Sequence, residues 1–325
     1  MVSKMNSRER VTAVVEGREA DRTPVAFWCH FHEQDRFGEA AVKAHMDFFR
    51  ESGTDICKVM NENTLPCTYK IDTVGDYAKA APINMRCKYM QDQVDTVKRI
   101  AELVDGQAVV LATIHGVIVS AHHMSGNPGV YVDNRQRFRA YLQENPEALK
   151  DGFKRISEGL AELAEACIEA GADGIYYAAL GAEKDLFTAE EYERYVEPYE
   201  KLVFAAADKG RKYNTLHICK HGLDIARYAS YPVSMVNWAI HEDNPTLEEG
   251  CRIFRDKVIL GGLDDRSGVL VDGTAVEIGA EIGSLLTRME GRPFVLGTDC
   301  TLPTDYSRER LKLAVQACEH YARRD

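Results

Sequence analysis

Eight apolar, β-branched runs recur along the chain, at residues 23–28, 55–60, 109–116, 174–179, 213–219, 235–240, 258–263 and 294–300, with amphipathic stretches between them. Most are apolar at nearly every position instead of every second one, as expected of strands covered by helices on both faces. Strands alternating with helices imply a parallel sheet. Eight such units favour an α/β fold closed into a (β/α)8, or TIM, barrel, forming a single domain over residues 1–325. An open doubly wound sheet is the alternative. Barrels of this kind reach such lengths as one unit, and no Pro/Gly/Ser-rich linker divides the chain.

Local signals support the alternation. Ser7 is expected to cap a helix that carries Val11, Val14 and Val15 on one face and closes at Gly17. Thr188 and Glu191 have the spacing of a capping box, and Pro198 is expected to kink or split the helix that follows. A weak internal repeat links RESGTDICKV with IEAGADGIYY: helix end, glycine, Asp-containing turn, strand. Gly210 before Tyr213 and Gly291 before Phe294 occupy similar helix-to-strand positions.

Composition narrows the function. The formal net charge of -11 argues against nucleic acid or an anionic membrane as the main partner, because both select basic surfaces. A local basic pocket for an anionic substrate remains compatible with it. No apolar run approaches the length of a membrane span, and the N-terminal MVSKMNSRER lacks the apolar stretch of a secretory signal. A cytoplasmic location is therefore expected. Nine cysteines then imply thiols kept free or bound to metal.

The segment LHICKHG closes the fifth run. Residues two apart on a strand share a face, so His217 and Cys219 are expected to project together, with Leu216 and Ile218 turned toward packing. The eighth run ends in GTDCTLPTD, placing Cys300 at its C-terminal end. All C-terminal strand ends of a parallel barrel meet on one rim, which carries the active site. One imidazole and two thiolates suit Zn2+, and three protein ligands leave a position for water or substrate. Position on a strand is not sufficient evidence, since buried cysteines are common and Cys29 and Cys57 also sit on or near strands. Cys67, Cys87, Cys167, Cys251 and Cys318 are read as structural or incidental. His115, His122 and His123, after the third run, are read as surface histidines, with no second metal site expected there.

The order of blocks resembles the uroporphyrinogen decarboxylase superfamily, and within it the cobalamin-dependent, methylcobamide:coenzyme M-type methyltransferases. The blocks are RERVTAVVEGREADRTPV, EAGADGIYYAALGAEKDLFTAEEYERYVEPYEKLV, LHICKHG, VNWAIHED, VILGGLDD and FVLGTDCTLPTDYSRERLKLAV. The methyltransferase branch carries His-x-Cys and one distant Cys as zinc ligands, matched here by His217, Cys219 and Cys300. The decarboxylases carry clustered arginines near the first strand, where this chain reads VAFWCHFHEQDRFGEAA, and tend to have Asp-Trp where Asn237-Trp238 stands.

The resemblance implies a zinc-dependent transfer of a methyl group between a corrinoid (methylcobalamin on a small corrinoid-binding partner protein) and an activated small-molecule acceptor, a thiol. Corrinoid-linked demethylation and tetrahydrofolate methylation are alternatives within the family. A methionine-synthase-like reaction without cobalamin, uroporphyrinogen decarboxylation and a non-catalytic tetrapyrrole binder are further ones. Tyr177, Glu183, Asn237, His241 and Asp299 lie near strand ends and are candidates for substrate contact. Glu183, His241 or Asp299 is also a candidate fourth zinc ligand. Tyr176-Tyr177 reads as an aromatic wall of the mouth or as core packing.

Overall fold

Residues 4–63, 71–79, 84–125 and 131–323 are described in the computed structural model, side chains 131–134 excepted. Eight parallel strands form one sheet: β1 (Val25–Ala26), β2 (Ile56–Val59), β3 (Val109–His115), β4 (Gly174–Ala179), β5 (Thr215–Ile218), β6 (Met235–Trp238), β7 (Val258–Leu263) and β8 (Phe294–Thr298). Their order, β1-β8-β7-β6-β5-β4-β3-β2, is that of a nearly closed (β/α)8 barrel. Helices alternate with the strands and cover the outside, except after β5, where a short 3-10 turn at Ile225–Tyr228 takes the helix's place.

The sheet ladder is interrupted only between β1 and β2, and side chains bridge the seam. The Asp55 N–H donates to the Val25 carbonyl at 2.7 Å, and the Asp55 carboxylate accepts the Val25 N–H at 2.8 Å. Thr54 Oγ1 accepts from the Phe27 N–H at 3.1 Å. One backbone bond and two side-chain bonds thus join β1 to β2 where the ladder is interrupted.

The internal repeat has a structural counterpart at the N-terminal face of the barrel. Gly53 and Gly171 adopt positive φ (73° and 110°), the left-handed turn that glycine permits at little steric cost. Two residues on, Asp55 and Asp173 each accept a backbone N–H from the preceding strand. Each also grips an arginine of the helix Ser7–Val15: Arg10 bonds Asp55 at 2.6 Å, and Arg8 bonds Asp173 through two nitrogens at 2.7 and 2.6 Å. Arg22 is a second partner of Asp55, at 2.7 Å. One helix thereby ties two corresponding turns together.

Local expectations are met with small shifts. The N-cap of the first helix is Asn6, in a capping box with Glu9, one residue before the expected Ser7. Thr188 and Glu191 do form a capping box. Helices Ala189–Tyr195 and Glu197–Ala206 are separated at Val196, with Pro198 in the first turn of the second, where its missing N–H breaks no helical bond. Among the described residues, no helix is long and apolar enough to cross a membrane.

Candidate metal centre

Register decides which side chains meet inside the barrel. Ala178, His217 and Asn237 are lateral neighbours on β4, β5 and β6, and Tyr176 lies two residues before Ala178, on the same face. Accordingly the Tyr176 ring stacks on His217 (centroids 5.6 Å apart, planes 19° apart) and meets the Trp28 ring edge-on at 4.9 Å. Cys219 directly follows β5 and continues its ladder by donating to the Ala179 carbonyl at 3.1 Å. Lys220 then takes φ 87°, a strained value for a residue with a Cβ. Asn244 clamps this turn through the Lys220 carbonyl at 2.8 Å and the Leu223 N–H at 3.0 Å.

Cys300 arrives from β8. The Asp299 N–H bonds the Leu263 carbonyl at 2.9 Å, and Thr298 Oγ1 bonds the Cys300 carbonyl at 2.8 Å. The ligand atoms of His217, Cys219 and Cys300 all lie within 4.8 Å of one another. Among the described residues, this is the one group of His, Cys, Asp and Glu side chains drawn together in this way.

The imidazole is oriented from behind. Asn237 Nδ2 donates to the carbonyls of Leu260 (2.9 Å) and Thr298 (3.0 Å), so its Oδ1 faces His217 Nδ1 at 2.5 Å as an acceptor. The proton therefore sits on Nδ1 and the Nε2 lone pair points toward Cys300, whose Sγ is 3.5 Å away. Fixing the tautomer through the far nitrogen is how metal-binding histidines are usually held. Gly261, with φ 146°, lies under this carboxamide: a Cβ there would stand 3.3 Å from Asn237 Nδ2.

The two thiols share a hydrogen bond that holds Cys300 well below the ordinary thiol value and pushes Cys219 well above it. A soft donor pair, an imidazole nitrogen directed inward and, among the described residues, no fourth side chain in the group fit zinc in an open site. Elsewhere burial pushes the thiols of Cys57, Cys167 and Cys318 up to about 12, which makes them poor ligands and nucleophiles. Cys87 is half-buried, and Cys29 and Cys251 are buried. All eight described cysteines are free; Cys67 lies outside the described residues.

The other sequence candidates divide. Asn237 is at the site as the partner of His217. Tyr177 is not in the mouth. It points the opposite way from Tyr176, against Phe204 at 4.9 Å, with its hydroxyl donating to Glu200 at 3.2 Å and accepting the Val117 N–H at 3.0 Å. Strand alternation sends one tyrosine of the pair inward and the other under the helices. Glu183 accepts the Gly181 N–H at 2.9 Å and faces Arg135 at 3.5 Å; burial raises its pKa. Asp299 Oδ2 takes both the N–H and Nδ1 of His241, at 2.8 and 3.0 Å, and this bond raises the histidine's pKa. None of the three proposed fourth ligands joins the metal-binding group. His122 is buried, not on the surface; burial lowers His122 to about 3 and His123 to about 4.

Two charged residues at the site have no place in the motif. Lys58 on β2 is buried against Trp28 and Tyr176, and burial lowers its pKa to about 7. Asp265, just after β7, is buried; burial first, then the nearby Cys300 charge, raises it to about 6. A lone lysine inside the apolar run DICKVM was the available sequence signal for the first.

Comparison with known proteins agrees with the architecture. A methyltransferase from Methanosarcina mazei superposes with a TM-score of 0.74 at 17% identity, over 98% of this chain and 99% of that one. A B12-independent methionine synthase from Shewanella sp. W3-18-1, solved in complex with selenomethionine, gives 0.58 at 12% identity, over 93% and 98% of the two chains. At these identities the likeness is one of fold. No curated protein matches the chain by sequence. The family model described as Uroporphyrinogen decarboxylase (URO-D) matches residues 58–321, which span β2 through the last helix and include all three grouped ligands, and the chain belongs to that family.

Proposed function

We propose that the protein is a zinc-dependent methyltransferase that moves a methyl group between a corrinoid, carried by a separate small protein, and a thiol acceptor. The observation that carries this reading is the convergence of His217, Cys219 and Cys300 within 4.8 Å at the C-terminal rim, with no fourth ligand in the group among the described residues. Bound there, zinc supplies a Lewis acid that lowers the pKa of an acceptor thiol toward neutrality.

The chain's own residues do the rest. Asn237 keeps the proton on Nδ1 of His217, leaving Nε2 free as a ligand. The hydrogen bond from Cys219 favours the ionised form of Cys300, the form that binds a metal ion. Tyr176 and Trp28 form an apolar wall beside the imidazole, which excludes water from one flank of the reacting thiol. The strand-end loops form the rim on which a corrinoid protein would dock.

A second reading, methyl transfer to a thiol without any corrinoid, draws on the fold likeness to the B12-independent methionine synthase. One assay separates the two. Zinc-loaded protein is mixed with methylcobalamin and a panel of thiols, and the corrinoid spectrum is followed. Thiol-dependent loss of methylcobalamin supports the proposal. Spectral change on binding with no turnover under any thiol, folate or methylated donor defeats it, and methyl transfer that ignores cobalamin favours the second reading.

A further inference from the structure

Lys58 projects from β2 into the barrel, because only from inside can a β2 side chain touch rings carried by Trp28, after β1, and Tyr176, on β4. Its Nζ lies 5.1 Å from the Trp28 ring centre and 4.2 Å from that of Tyr176. Among the described residues its one hydrogen-bond acceptor is the Met60 thioether, Sδ at 3.0 Å, and it is 6% exposed. Among the described residues, no carboxylate lies within ion-pairing distance. After burial, the groups that act most on Lys58 are the Cys300 thiol and then Glu62, and Glu62 is bonded to His30 at 3.0 Å and to the Phe31 N–H at 3.3 Å.

A buried ammonium faced by two aromatic rings and a thioether is an expensive choice for core packing. A methionine or leucine would fill the same space without desolvating a charge, which is unfavourable unless an opposite charge accompanies it. The Cys300 thiol acts on this ammonium without a hydrogen bond to it, and among the described residues no anion is hydrogen-bonded to it. Tyr176 is touched on its ring by both the Lys58 ammonium and the His217 imidazole, so Lys58 and the metal-binding group look onto the same interior.

We propose that Lys58 is an anion subsite: the small molecule that enters the barrel carries a carboxylate, sulfonate or phosphate, which pairs with the Lys58 ammonium while its other end reaches the His217–Cys219–Cys300 group. The second half of this statement rests on the methyltransferase reading; the first does not.

The test uses the purified full-length protein and simple anions. Acetate, methanesulfonate and inorganic phosphate are titrated by calorimetry and by the tryptophan emission, since Trp28 adjoins the ammonium and the chain has only 2 tryptophans. Saturable binding of at least one anion is expected, with no binding of its neutral amide. Lys58→Met should weaken it roughly 10- to 100-fold, the loss of one charge-assisted pair, and Lys58→Arg should retain most of it. Zinc content should be unchanged in both.

If Lys58→Met does not fold, the comparison of anion with amide in the native protein and in Lys58→Arg still decides. Absence of saturable anion binding in the native protein, or unchanged binding in Lys58→Met, overturns the proposal. Because these readouts need no corrinoid, failure of methyl transfer with intact Lys58-dependent anion binding would sink the proposed function alone. Where transfer to a thiol is measured, KM for an anionic thiol should rise by a similar factor in Lys58→Met, and that for a neutral thiol should not.

Discussion

His217 Nδ1 lies 2.5 Å from Asn237 Oδ1, and Asn237 can present that oxygen only because its nitrogen is committed to the carbonyls of Leu260 and Thr298. Three strands thus cooperate to set one tautomer. Asn237→Leu removes the acceptor while preserving approximate volume, and should weaken zinc binding about 10- to 100-fold, the range for partners of this kind. Competition with a chelator of known affinity measures it. Unchanged affinity would show that the imidazole is oriented by Tyr176 stacking alone.

The purified protein should carry close to one zinc per chain, with two sulfurs and one chain nitrogen in its X-ray absorption spectrum. Cys219→Ala or Cys300→Ala should each lose most of the metal, since every protein ligand is needed in a three-ligand site. The barrel should remain folded by far-UV circular dichroism, because its core is independent of these residues. Full metal content in both variants would remove the site from consideration.

How much of this was legible follows from what each signal depends on. Strand runs and the His217–Cys219 pair depend on local periodicity, and the convergence of Cys300 follows from barrel topology. All three were therefore readable. The inward turn of Tyr176 and the outward turn of Tyr177 depend on register, which a one-residue slip reverses; the run GIYYAA is apolar throughout and does not reveal it. The surroundings of Lys58 are likewise hidden in the sequence, because its partners, Trp28 and Tyr176, come from other strands. Glu183 and Asp299 sit near strand ends as expected, but Gly181 and Arg135 hold one and His241 holds the other. These contacts are tertiary and carry no sequence spacing.

Asp55 holds the β1–β2 seam. It is fully buried, paired with Arg10 and Arg22, and bonded to the Val25 N–H. Asp55→Ala leaves two buried guanidinium groups short of their shared counterion and should destabilise the fold by about 3–5 kcal/mol, measured by urea unfolding. Asp173→Ala, at the corresponding turn but with one arginine partner, which is part-exposed, should cost less. Equal losses would mean that the seam has no special dependence on Asp55.

Glu200 gives stability a distinct pH dependence. It is fully buried between helix and sheet, where the hydroxyls of Tyr192, Tyr231 and Tyr177 lie 2.6, 2.7 and 3.2 Å from its carboxylate. Burial outweighs these bonds and raises its pKa from 4.5 to about 7. Folding therefore favours the protonated acid. Its contribution is fully present below the unfolded value near 4.5 and is lost as pH rises through about 7, beyond which it changes no further. At about 1.4 kcal/mol per pH unit, the native protein should lose roughly 2–3 kcal/mol relative to Glu200→Gln between pH 5 and pH 8. Gln keeps an acceptor for the tyrosines and cannot ionise, so the difference isolates this one group from all other titrations. Urea unfolding of both proteins at the two pH values measures it. Parallel stability curves for the two would show that Glu200 is ionised in the folded state throughout, with the three tyrosines compensating its burial in full.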